Sequence, residues 1–161
     1  MPGLEDLYRE IILDHYRTPR NRGELDSPPA IETNGHNPLC GDEITLFLLV
    51  DDASKGDAAT VSDVKIGGQG CSISQSSASM MSQAVIGKTA GEARALIRRF
   101  KSLMSIEGIE LQPGDDDIAL GDLEALQGVV KFPVRIKCAV LSWNTLADAL
   151  DRATSEPPAS G

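Results

Sequence analysis

The most telling features of this 161-residue chain are the ones in short supply. No apolar run approaches the ~20 residues that a bilayer-spanning helix needs, so no membrane segment is expected. Basic residues are outnumbered 24 to 15, which leaves a formal net charge of −9. Nucleic-acid binding rests on a basic surface, so a nucleic-acid partner is not expected, whereas a basic protein partner would be steered favourably. Cysteine occurs only three times, at Cys40, Cys71 and Cys138. An odd count argues against a disulfide framework and leaves two readings, buried apolar side chains or ligands. The opening MPGLEDLYRE has neither the basic start nor the apolar centre of a signal peptide, so a cytoplasmic location is expected.

What is present suits a globular chain, with 41% hydrophobic and 24% charged residues. One domain is expected over residues 1–153, with TSEPPASG, residues 154–161, as a disordered tail. Leu4, Leu7, Ile11 and His15 follow helical spacing, which predicts an amphipathic helix over 4–16 that stops at Pro19 and Gly23. ELDSPPAIETNGHNPLCGD is rich in Pro and Gly and reads as loop, with a short edge strand allowed near 30–34. EITLFLLVD is a strand, and TVSDVKI, after the turn DASKGDA, is its antiparallel partner. Three glycines in the four residues GGQG are expected to end that partner. Residues 72–86 then form a helix of small side chains. TAGE, 89–92, has capping-box spacing and opens another helix to 104. An acidic, turn-rich segment follows, with a short helix near 122–127. A last helix starts at Pro133 and carries Trp143, Leu146 and Leu150 on its core face. Strands segregated from helices predict an α+β fold, a small antiparallel sheet of about three strands packed against helices.

The cysteines gain meaning from that layout. NPLCGD places Cys40 two residues before Asp42, in a tight loop before the first strong strand. Cys71 follows the second strand. Antiparallel pairing sets the start of one strand beside the end of the other, so both cysteines fall at one end of the sheet. Cys71 also opens a helix, whose N-terminal N–H groups and partial positive charge favour a thiolate, the metal-binding form. Cys138 lies in the first turns of the last helix, which can deliver it to the same end. Cys40, Asp42, Cys71 and Cys138 together make three thiolates and a carboxylate, a set that suits tetrahedral zinc or iron in an iron–sulfur cluster. The carboxylate is the hard, most exchangeable member of the set. Arg135 and Lys137 flank the third cysteine and are candidates to offset the excess negative charge. His15 reads as a packed or surface residue, and His36 as a loop residue.

The stretches NPLCGD, GGQGCSISQSSASMM and RIKCAVLSW, with LYREIILDHYRTPRNRG at the start, resemble the SufU branch of the IscU/NifU-type iron–sulfur assembly proteins over residues 4–153. The resemblance implies a compact fold of that family, with zinc held by Cys40, Asp42, Cys71 and Cys138. It implies Cys40 as the sulfur acceptor. The implied partners are a pyridoxal-phosphate cysteine desulfurase of the SufS type and other iron–sulfur assembly proteins. Docking would free the acceptor thiolate by exchanging one zinc ligand for a histidine of the desulfurase. Scaffold members carry a histidine immediately before the third cysteine, where this chain has Lys137. They also lack the insertion LQPGDDDIALGDLEALQGVVKF. Both departures favour sulfur transfer. The alternatives are a scaffold on which an iron–sulfur cluster is built and a zinc that only staples the fold.

Overall fold

The structure, a computed structural model, describes residues 4–27, 30–38, 41–106, 108–115 and 118–155. Cys40 and residues 156–161 of the expected tail lie outside the described residues. Strands β1 (Ile31–Asn37), β2 (Asp42–Val50) and β3 (Val61–Gln69) form one antiparallel sheet in that order. Ile44, Leu46 and Leu48 alternate along β2 toward the core and meet Val64 and Ile66 of β3 in register. Glu43, on the opposite face, is exposed, whereas Phe47 on that same face is buried, so the face away from the helices is solvated only in part.

The cover is helical. Helix α1 (Leu4–Arg17) packs on α2 (Ser72–Val85), and α4 (Pro133–Ser155) lies across β1 and β2 with α2 alongside it. A 3-10 segment, Gly121–Lys131, fills the space between α1 and α4. Helix α3 (Ala90–Leu103) closes the far end and opens on the expected capping box, in which Thr89 and Glu92 satisfy each other's backbone N–H groups. The α+β expectation is met, with three strands and the helices on one face.

Two strands run further than the sequence reading allowed, and glycine is the reason in both. β1 continues through Gly35 to Asn37, and His36 is an exposed strand residue rather than a loop residue. Gly35 faces α4. A Cβ there would collide with Thr145 Oγ1 and lie 3.0 Å from Ile44 and 3.3 Å from Leu141. This glycine therefore marks the place where the helix comes closest to the sheet. β3 continues through Gly67 and Gly68, which pair with Thr45 and Ile44. Gly68 has φ +110° and presses on the β2 backbone, where a Cβ would stand 2.9 Å from Ile44 Cα.

Helix α4 is pinned along its length. Trp143 is fully buried, stacks on Phe100 with ring centroids 4.5 Å apart, and donates from Nε1 to Ser77 Oγ at 3.0 Å. Ser77 in turn donates to the Ala139 carbonyl at 2.6 Å. Of the two readings left for His15, packed or surface, the structure shows the packed one: it is buried, bonded to Ser79 Oγ at 2.8 Å and Asp122 Oδ2 at 2.9 Å, which ties α1 and α2 to the 3-10 segment. Asp115 anchors the insertion to α3 through Arg98 Nε at 2.8 Å and accepts the Gln112 N–H. The Arg98 guanidinium holds the Asp115 carboxyl below the ordinary aspartate value of 3.8.

Gly35→Ala is expected to cost about 1–3 kcal/mol in urea unfolding, because the added methyl forces α4 off the sheet. Gly67→Ala, with nothing within 4 Å of its would-be Cβ, should change stability by less than about 0.5 kcal/mol. Asp115→Ala should cost about 1–3 kcal/mol near neutral pH. Because the folded pKa is depressed, this contribution is complete above the unfolded value and fades as pH falls through the folded one. The wild-type and variant midpoints should therefore converge in acid.

Candidate metal centre

The antiparallel register builds the site at one end of the sheet. Asn37 pairs with Asp42 across the β1–β2 turn, and Glu43 pairs with Gln69 at the end of β3. One residue beyond Gln69 is Gly70, then Cys71, which caps α2 with extended backbone and no side-chain capping bond of its own. Its N–H instead donates to Asp42 Oδ1 at 3.0 Å, so a strand carboxylate satisfies an orphan donor at the start of the helix. Gly70 makes that approach feasible. A Cβ there would meet Ser74 Oγ and stand 2.6 Å from Asp42 Oδ1.

Cys138 arrives from α4. It is fully buried, 3.9 Å from Asn37 Nδ2, which donates toward its sulfur. The Cys71 sulfur lies 3.9 Å from Asp42 Oδ2. One ligand atom each from Asp42, Cys71 and Cys138 falls within 4.8 Å of the others. Three of the four residues singled out in the sequence thus converge, and the fourth, Cys40, lies outside the described residues. Arg135 and Lys137 sit in the first turns of α4 and are exposed. Among the described residues neither forms an ion pair with Asp42. Asn37 went unnoticed in the sequence. Its signal was there: it opens the NPLCGD turn, and its carbonyl accepts the Gly41 N–H at 2.8 Å.

The donor chemistry fits a thiophilic divalent cation. Asp42 is 1% exposed, and a buried carboxylate without a counter-charge is strongly unfavourable. No Lys, Arg or His among the described residues pairs with it. Tetrahedral zinc with bonds of about 2.3 Å to sulfur sets its ligand atoms roughly 3.8 Å apart, close to the observed spacing. Cys71 is only half-buried, so the centre meets solvent on that side.

The sequence pattern of the NifU-like N-terminal domain matches residues 7–150. The chain belongs to that family. Within it, the chain is 50% identical over 144 residues to the zinc-dependent sulfurtransferase SufU of Bacillus subtilis, covering 89% of each protein. It is 41% identical over 152 residues to the iron–sulfur cluster assembly scaffold protein IscU of Streptococcus pyogenes, covering 94% of this chain and 87% of that one. A crystal structure of a nitrogen-fixing NifU-like protein (N-terminal) from Brucella abortus superposes with a TM-score of 0.75 at 25% identity, over 96% of this chain and 99% of that one. The NifU-like fold explains why a short sheet and one long helix suffice to gather the donors. Among the described residues no helix is long and apolar enough to cross a membrane.

Gly70→Ala is expected to push the Asp42 carboxylate out of place and lower zinc affinity about 10–100-fold, the usual effect of disturbing a ligand's support. Competition against a chromophoric chelator reads this directly. The folded state should survive, because the clash is with side-chain ends rather than backbone.

Proposed function

We propose that this chain is a zinc-dependent sulfur acceptor that takes persulfide sulfur from a SufS-type cysteine desulfurase for iron–sulfur cluster assembly. Cys40, Asp42, Cys71 and Cys138 would hold the metal. The observation that carries this reading is a buried carboxylate set among thiols, in a chain half-identical to a zinc-dependent sulfurtransferase. Covalent connectivity supports the fourth ligand, since it keeps the Cα of Cys40 within about 7 Å of that of Asp42.

Bound zinc would keep the thiolates deprotonated and, being redox-inert, would not oxidise them. The residues then divide the work. Cys71 and Cys138 are soft, strong donors from two different helices. Asp42, hard and held by the Cys71 N–H, keeps its orientation when another donor leaves. Cys40 precedes the first residue of β2 by two positions in the chain and would act as nucleophile. Its thiolate attacks the outer sulfur of the desulfurase persulfide. The S–S bond of the persulfide breaks, the desulfurase cysteine departs as thiolate, and Cys40 carries the new S–S bond as Cys–S–SH.

A second reading, a scaffold for iron–sulfur clusters, is favoured by the IscU relative and by the affinity of thiolates for iron. Lys137, in place of the scaffold histidine, and the acidic insertion weigh against it.

Freshly purified protein should hold about one zinc per chain with no acid-labile sulfide. Mixed with a SufS-type desulfurase, cysteine and reductant, it should accelerate alanine release, and Cys40→Ala should abolish that acceleration. A Cys40→Ala variant as stimulating as wild type would overturn the acceptor role. Anaerobic reconstitution that yields a cluster transferable to an apo-protein faster than it decays would favour the scaffold.

A further inference from the structure

A groove of about 750 Å³ opens beside the metal centre. Its walls are α1, the start of α2, the end of the 3-10 segment and the start of α4. Ser72 and Ile73 line it directly after Cys71, and Arg135 lines it three residues before Cys138. Anything seated there is therefore led toward the ligands. The floor is apolar, with Ile12, Ile73 and Val129, and Phe132 stands at the lip with 60% of its surface in water. Val134, next to the groove, is exposed to the same extent. Singly exposed apolar residues are ordinary, but here Phe132 adjoins the apolar lining of the groove with charged residues beside it, the arrangement that marks a contact site.

The charge at the rim runs against the charge of the molecule. The chain carries −9 overall, yet every ionisable residue lining the groove is a cation, namely Arg9, Lys131 and Arg135. Arg9 and Arg135 form no ion pair among the described residues. A local cationic field on an anionic protein selects its partner's sign and orientation more than it adds raw affinity. The field is also placed where an incoming sulfur donor must arrive, beside half-buried Cys71.

We propose that this groove docks an apolar-tipped, acidic segment of the sulfur-donating protein, with the apolar side chain seated between α1 and α2 and the carboxylates on Arg9 and Arg135. The proposal rests on the sulfur-acceptor reading for the identity of the partner. The rim charges set approach and register, and the seated side chain sets residence.

Binding of the full-length chain, zinc loaded, to a SufS-type desulfurase separates the possibilities. The charge reversal Arg9→Glu should raise the dissociation constant about tenfold in low salt, and the penalty should shrink as salt rises. Phe132→Ser should also weaken binding several-fold, with a penalty indifferent to salt. Zinc content and thermal midpoint of both variants should match wild type, because both residues are exposed. Variants that bind as tightly as wild type overturn the docking proposal. So does a wild-type chain with no affinity for the desulfurase. If the variants instead relieve self-association and leave desulfurase binding unchanged, the groove belongs to a second copy of the chain and the proposal fails. Weakened docking in the variants, together with undiminished stimulation by Cys40→Ala, would keep the groove and remove the acceptor role.

Discussion

The hydrogen bond from the Cys71 N–H to Asp42 Oδ1, 3.0 Å long, is the contact on which the site depends. It joins the first residue of β2 to the cap of α2. Two sequence-distant elements are thereby fixed at the place where the sheet ends and the helix begins. It also explains how a carboxylate can be buried there at all. One oxygen is satisfied by the helix N-terminus, whose partial positive charge favours an anion. The other faces the Cys71 sulfur at 3.9 Å, where a cation would complete the balance. Remove the bond and the carboxylate is both unpaired and unaimed.

The third donor depends on a different constraint, the axial position of α4. A helix advances about 1.5 Å per residue, so a slip of one residue would carry the Cys138 sulfur out of bonding range and rotate it away. Two features oppose that slip. Gly35 lets the helix lie close on β1, and the bonds of Ser77 to Ala139 and Trp143 fix its height against α2. Ala139 directly follows Cys138, so the clamp acts beside the ligand. The serines of α2, featureless in the sequence, are here the hydrogen-bonding surface that sets the register.

Much of this was legible beforehand. The hairpin argument placed Cys40 and Cys71 at one end of the sheet, because antiparallel register is a strong constraint and the two strands are apolar enough to identify; of the two, Cys71 is described, and it lies there beside Asp42. The capping box at Thr89 and the helix start at Pro133 were equally readable, each from local chemistry. The ends of β1 and β3 were not. Glycine in a sequence signals a turn or the loss of a side chain, and only tertiary contact decides which. At Gly35 and Gly68 it is the second, since neighbours occupy the space a Cβ would need. Asn37 was missed for the same reason: its role toward Cys138 exists only after α4 has docked. The family likeness supplied what periodicity does not, namely that Cys138 belongs with the other donors.

The burial of the donors is graded, and the gradient has a chemical direction. Cys138 and Asp42 are closed off by α4 and the sheet, while Cys71 is half open. A purely structural metal site gains from closing every donor away from solvent, and from four ligands of one softness. This one pairs soft sulfurs with a hard oxygen and leaves one side accessible next to a cationic groove. Closed donors fix the ion to the protein, and the open side lets a ligand be exchanged without losing it. Exchange without loss is the property a sulfur acceptor requires, since its nucleophile must be protected until the donor has arrived and uncovered only there.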